Sequence, residues 1–302
     1  MSIPQSGIFV EGTTAHRIQE YDVAAEADAP TIQHGLAEAL ATITDSEADQ
    51  GHIVVGFGHT LAERLDLETP IGFRSFRTLG NEPRTARATQ HDLSVWIHGH
   101  DQGDVFDSAL ALRRTLTRVG EIVGDTTAFV YHDNRDLTGF IDGTENPTAD
   151  EGRQLAVINQ GQPGEGGSVL LVQRWVHDLD TFHALPVSEQ ERIIGRTKAD
   201  SVELAENELP ADAHIARVVM EDGQGNEIEI YRRSVPYGDS TESGLMFLGF
   251  TDELDKIDNM LKNMFDNSDG PHDRLIEFST AQSSSYYFTP SQDILTNLTR
   301  HR

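Results

Sequence analysis

Read for the spacing of its apolar positions, the chain falls into two halves of similar design. In the first half, 16–24 alternates as a strand and Thr31 to Ile43 carries apolar residues at helical spacing. Ile53-Val54-Val55-Gly56-Phe57 reads as a short buried strand, Leu93 to Ile97 as another, and Val105 to Leu116 as an amphipathic helix. In the second half, Ser168 to Trp175 and Leu245 to Phe250 predict strands. Phe182 to Ile194 predicts a helix, with Pro186 as a complication within it. Val218 to Tyr231 predicts a hairpin around Asp222-Gly223-Gln224-Gly225-Asn226, and Leu254, Ile257, Leu261, Met264 and Phe265 mark one face of a helix. The polar, glycine-rich run from Asp150 to Gly167 reads as a connection between the halves, lying over a ligand. Strands alternating with helices in two matched halves predict an α+β protein: antiparallel sheets with helices on one face, divided at 1–150 and 151–302.

Composition narrows the function classes. A chain of 302 residues can bury two modest cores. No apolar run approaches the roughly 20 residues of a membrane span, and no basic stretch followed by an apolar one marks a secretory signal, so a cytoplasmic location is expected. The absence of cysteine excludes disulfides, thiolate-ligated haem, iron–sulfur clusters and cysteine catalysis. Fifty acidic residues against 23 basic ones give a formal charge of −27, and only Lys198, Lys256 and Lys262 are lysines. Such a surface repels a phosphate backbone, which argues against nucleic acid as a partner. It describes a salt-adapted protein and a merely acidic one equally well.

The most informative run is RDLTGFIDGTENP, residues 135–147. Asp142 stands between Phe140-Ile141 and Gly143, so its carboxylate is held on a turn at the end of an apolar stretch, where an acid–base group would sit. Turn chemistry by itself favours a plain Asp-Gly turn closing a strand. Thirteen histidines leave the choice of a metal ligand open. His98 and His100 share one face of a strand and could bind a metal, but Asp101 and the intervening glycine favour a strand end and polar turn. His214, in LPADAHIARVVM, stands where a polar turn gives way to an apolar run, and a structural histidine is the first reading there.

GFIDGTENP resembles the signature of the dye-decolourising peroxidases. IIGRTK (193–198), AHIARV (213–218) and RRSVPYG (232–238) follow in that family's order, so the resemblance runs from about Arg135 to the C-terminus and is similar to the compact bacterial type. The resemblance implies two ferredoxin-like modules, with one haem b per chain held mainly by the second. It implies His214 as the axial ligand of the haem iron, with Asp293 in YYFTPSQDIL as the carboxylate on its second nitrogen, a place where a helix-capping role is also open. It implies Asp142 as the group that shuttles a proton of hydrogen peroxide and Arg232 as the cation that holds it. Arg233 is then assigned to the surface or a propionate, and Ser234 to a distal water. Gly143 and Thr144 border the cofactor, Arg196 (with Lys198 beside it) meets a propionate, and Leu245 and Phe247 wall the distal pocket. Arg196 as a solvated charge and Leu245 and Phe247 as plain core remain open readings. The implied activity is peroxide-dependent oxidation of dyes, phenolics or other one-electron donors through an oxoferryl intermediate, with haem binding or delivery without turnover as the alternative. Trp96, Trp175, Tyr286 and Tyr287 are candidate electron relays at the surface. Hydrogen peroxide and a reducing substrate are the expected partners, with no membrane and no nucleic acid, and a homo-oligomer is expected. The chain ends LTNLTRHR, without the apolar tail that sends some relatives into protein shells.

Overall fold

The computed structural model describes residues 2–44, 51–265 and 270–300. The first half runs β1 (Ala15–Val23), α1 (Ala29–Thr44), β2 (His52–Phe57), α2 (His59–Arg64), a small hairpin of β3 (Leu79–Asn81) and β4 (Arg84–Ala86), β5 (Leu93–Gly99), α3 (Gln102–Leu116) and β6 (Gly120–Phe129). A connection bearing α4 (Ala149–Ala156) leads to β7 (Ser168–His177), α5 (Leu179–Ala184), α6 (Val187–Ile194), α7 (His214–Val218), β8 (Tyr231–Arg232), β9 (Val235–Gly238), β10 (Ser243–Thr251), α8 (Leu254–Phe265), β11 (Ser279–Thr289) and α9 (Gln292–Leu298).

Within the first module the strands lie in the order β2-β5-β1-β6, and within the second β11-β7-β10-β9, all antiparallel. Both are the ferredoxin-like arrangement, in which the first and third strands are central. The two sheets are also joined. β11 meets β2 at the pair Phe288↔Phe57, and β6 meets β9 at Ala128↔Tyr237, so eight strands close into a ring. Ile18, Val54 and Trp96 from the first module pack inside that ring against Leu170, Val172, Leu248, Phe250 and Tyr287 from the second.

Local sequence explains the helices. Asp101 caps α3 by accepting from the backbone of Gly103 and Asp104, Arg113 and Arg114 sit in its last turn, and Val105, Ala109, Leu112 and Leu116 form its buried stripe. Thr148 and Glu151 make a reciprocal capping box for α4. Pro186 splits the predicted 182–194 helix into α5 and α6, since its ring cannot continue a helix. Three expectations change. The 150–167 connection begins as α4, and Gly164, Gly166 and Gly167 at its end pack on Ser2, Pro70 and Phe288, none of which lines the ligand cavity. The 218–231 hairpin is reduced to a turn with a single bridge, Glu221↔Glu227. β6 and β11 are strands that the apolar pattern did not reveal.

No helix among the described residues is long and apolar enough to cross a membrane. At a formal charge of −27, self-repulsion works against the folded state. It reaches across a domain when the Debye length is about 30 Å, at roughly 0.01 M salt, and only between neighbours when it is about 3 Å, at roughly 1 M. The melting temperature is therefore expected to rise with sodium or potassium chloride over that range in a calorimetric series. A flat or falling curve would show that local pairing already offsets the acidic surface.

Candidate active site

The second module and the 141–145 turn enclose a cavity of about 340 Å³. Its apolar wall is α8, through Ile257, Met260, Leu261 and Met264, with Leu171 and Phe247 from the sheet. The amphipathic stripe read from the sequence is thus the face turned to the cavity. A dry annex of about 100 Å³ shares His214, Phe247, Leu261 and Met264 and extends past Leu245, Trp175 and Gln173.

His214 opens α7 and lines both spaces. Its Nδ1 lies 2.6 Å from Asp273 Oδ2, and a carboxylate only accepts, so the proton sits on Nδ1 and the Nε2 lone pair is left free. Asp273 is completely buried and rigid. Its Oδ1 accepts from Leu275 N at 2.8 Å, and its own N–H donates to the Met264 carbonyl at 2.9 Å. Arg217, three residues after His214, donates to the Asn263 carbonyl at 2.7 and 3.0 Å and locks α7 onto α8. Gly195 ends α6 in the left-handed region (φ 96°), and a Cβ there would collide with Ile215, the neighbour of His214. The carboxylate behind His214 is therefore Asp273. Asp293, given that place in the sequence reading, is exposed in the first turn of α9, whose cap is Ser291. The 59 positions that separate His214 from Asp273 hid the correct residue. The local signal for Asp273 was an aspartate two residues before the short apolar pair Leu275-Ile276.

The other functional groups arrive from the turn and from β8. Asp142 N donates to the Asn134 carbonyl at 2.9 Å, and Gly143 takes φ 72°, a conformation that glycine adopts without strain. Asn146 clamps the turn to β8 through two 2.9 Å bonds with the Arg232 backbone. Asp142 and Arg232 line the cavity together, and among the described residues the Arg232 guanidinium makes no ion pair or hydrogen bond. Burial pushes the Asp142 carboxyl up to about 6, against the opposing pull of Arg232. Desolvation is thus the largest influence on this carboxyl.

Asp142, Gly143 and Arg232 also border a second cavity of about 370 Å³ that reaches Glu11, Thr13 and His16. Ser234 faces this second space, where its buried Oγ has no partner among the described residues. Arg233 turns to the first module, donating to the Ile8 and Val10 carbonyls at 2.8 and 2.5 Å and stacking over Trp96. Its guanidinium is thus engaged by backbone of the first module at the edge of the second cavity. Thr144 borders the main cavity and meets Ser201 at 2.7 Å. Arg196 lies on the rim with Glu145 at 3.0 Å and Glu203 at 3.2 Å, while Lys198 turns away to Gln190 at 2.6 Å. Leu245 lies in the annex and Phe247 in both spaces. His98 is spoken for by Thr13 and Gly7, and burial pushes its pKa down to about 2. Trp96, Trp175, Tyr286 and Tyr287 are all buried, so none is the surface relay expected of it. The sequence reading missed Asp273 and the wall formed by Val218, Val219, Ile228 and Ile230.

The sequence also matches known proteins along nearly its whole length. Residues 5–126 match Dyp-type peroxidase, N-terminal, and residues 133–294 match Dyp-type peroxidase, C-terminal. The chain belongs to the Dyp-type peroxidase family. It is 34% identical over 247 residues to a dye-decolorizing peroxidase of Rhodococcus erythropolis, covering 80% of this chain and 72% of that one. A putative Dyp-type peroxidase from Shewanella oneidensis superposes with a TM-score of 0.92 at 30% identity, covering 98% and 99% of the two chains. A variant of DypB from Rhodococcus jostii RHA1, solved in complex with heme, superposes with a TM-score of 0.90 at 29% identity over 97% of each chain. Among Dyp-type peroxidases, then, this chain keeps the whole two-module fold, and the cavity described above lies in its second module.

Proposed function

We infer that this chain is a haem-dependent peroxidase, which reduces hydrogen peroxide and oxidises dyes, phenolics or similar electron donors. One observation carries the reading of the site: a single cavity holds a histidine with a free Nε2, backed by a buried carboxylate, together with a half-buried carboxyl and an unpaired guanidinium. A haem-delivery protein needs the first pair but has no use for the second. The donor set suits haem. His214 would ligate the iron through Nε2, Asp273 would fix its tautomer and basicity, and α8 with Phe247 and Leu245 would cover the ring. Arg196 is our choice for a propionate, in competition with Glu145 and Glu203. When bound, haem supplies an iron that takes two oxidising equivalents from peroxide and returns them singly to donors.

The protein's own groups then divide the work. Arg232 stays charged at any working pH and holds the peroxide oxygens, stabilising negative charge as it develops. Asp142 in its ionised form takes a proton from one peroxide oxygen and returns it to the other. Gly143 and Thr144 shape the turn, and Ser234 Oγ would hold a water in the adjoining cavity. With Asp142 at about 6, the rate of reaction with peroxide is expected to be level above that pH and to fall about tenfold per unit below it, as the base is protonated. Asp142→Asn should abolish this acid limb in stopped-flow mixing.

A visible spectrum of the purified protein tests the cofactor, and dye bleaching with peroxide tests turnover. A Soret band without turnover would favour haem delivery. We propose further that the chain divides near residue 150 and works in the cytoplasm as a homo-oligomer, for which the exposed Phe106, Val123 and Phe129 around α3 and β6 offer a face. Light scattering and cell fractionation would check these points.

A further inference from the structure

The turn that carries Asp142 holds a second carboxylate. Arg135 and Ile141 form a bridge, with Asp136 N donating to the Phe140 carbonyl at 2.9 Å on one side and Asp142 N to the Asn134 carbonyl at 2.9 Å on the other. Asp136 and Asp142 are therefore diagonal neighbours across a two-stranded turn, a relation that places such residues about 7 Å apart. Asp136 is saturated with donors. Its Oδ2 accepts from Thr138 N at 2.8 Å and Thr138 Oγ1 at 2.5 Å, and its Oδ1 from His177 Nε2 at 3.1 Å. The two side chains of the Asp136–His177 pair are only 14% and 7% exposed. His177 ends β7, is held from behind by Ser279 Oγ of β11 at 2.7 Å, and lines the dry annex that adjoins His214.

We propose that Asp136, held by His177, is a positioning residue whose fixed negative charge raises the proton affinity of Asp142. The idea rests on Asp142 being the acid–base group of the peroxide reaction. Burial would push the Asp136 carboxyl up, but the His177 and Thr138 donors more than offset this and hold it below the ordinary value, so the charge persists at working pH. The charged groups that face Asp142 are Arg232 on β8, which favours its ionised form, and Asp136 on its own turn, which opposes it, with the neutral His214 of α7 across the cavity. Glu145, Arg196 and Glu203 stand further out on the rim, and Glu11, His16 and Arg233 lie across the second cavity. Facing Asp136 is His177. Arg135 is engaged with Asp133 and with backbone carbonyls, and Lys198 with Gln190. A base that must both take and return a proton works best when its midpoint lies near the working pH, and the Asp136 charge adds to burial in offsetting the pull of Arg232.

The test is an infrared titration of the Asp142 carboxyl in the full-length, haem-loaded protein, with the band assigned by its loss in Asp142→Asn. In Asp136→Asn the amide can turn its NH2 towards His177, which accepts through Nε2 as the other tautomer, so the contacts survive and only the charge goes. The Asp142 midpoint is expected to fall by about 0.4 to 1.7 pH units, the range given by a unit charge about 7 Å away at effective dielectric constants of roughly 80 to 20. Should Asp136→Asn not fold, Asp136→Ser carries the same expectation. His177→Gln, which still donates to Asp136, should leave the midpoint within about 0.3 unit. A purely structural role would change thermal stability or haem affinity without moving the midpoint. An unmoved or raised midpoint in a folded, uncharged variant overturns the proposal. A lowered midpoint with an unmoved acid limb of the peroxide reaction upholds the coupling and removes Asp142 from proton transfer.

Discussion

His214→Ala will fold but will not hold haem. The substitution removes the free Nε2 from the cavity, and the apparent haem affinity should drop by more than about 100-fold, since loss of an outer partner alone costs 10–100-fold. It also leaves the Asp273 Oδ2 buried without its donor, which should cost about 1–3 kcal/mol of stability. Adding Asp273→Asn removes that stranded charge, so the double variant should recover much of the melting temperature without recovering haem. The ratio of Soret to protein absorbance and a thermal melt decide both points. Stoichiometric haem in His214→Ala would overturn the ligand assignment. Asp273→Ala alone, with the ring still present, should fall between the two.

Arg232→Leu will bind haem and react slowly with peroxide. Loss of one neutral oriented donor from a dry site costs roughly 10²–10³-fold, and a charged one costs more, so the bimolecular rate should drop by at least about 10³-fold. A second effect has the same sign. Arg232 is the main group holding the Asp142 carboxyl down against burial, so without it the midpoint of Asp142 should climb above about 6. The deficit should therefore widen as pH falls from 8 to 6. Stopped-flow spectroscopy at several pH values would show it, and a wild-type rate would mean that another cation performs the task.

How much of this was legible beforehand follows the distance over which each feature is encoded. The 135–147 turn is contiguous, so Asp142 and its glycine could be read directly, and the apolar stripe of α8 announced a face before anything showed what it covered. The His214–Asp273 pair joins residues separated by 59 positions, in a segment whose acidic residues resemble the rest of an acidic surface. Charge composition masked the one aspartate that is completely buried among the described residues. β11 escaped notice because its first half, Ser279 to Ser285, is nearly all polar and finds its partners inside the sheet. β6 carries two glycines and alternating exposed positions, which lowers its apolar signal. Arg233 was misjudged because strand alternation told which way it points but not that the first module would be waiting there.

That last contact belongs to a wider property of the molecule. In an open ferredoxin-like sheet the two outer strands expose rows of unpaired amides and carbonyls, the usual starting point for unwanted association. Here the outer strands of each half, β2 and β6 in one and β9 and β11 in the other, cover one another when the ring closes. The two halves meet through one residue pair at each of these edges and through a shared apolar interior. Produced alone, each would present two bare flanks and the apolar side chains of Trp96 or Phe250 to solvent, and would be prone to aggregate. The ring is thus a mutual guard, and it ties the survival of the cavity in one half to the presence of the other.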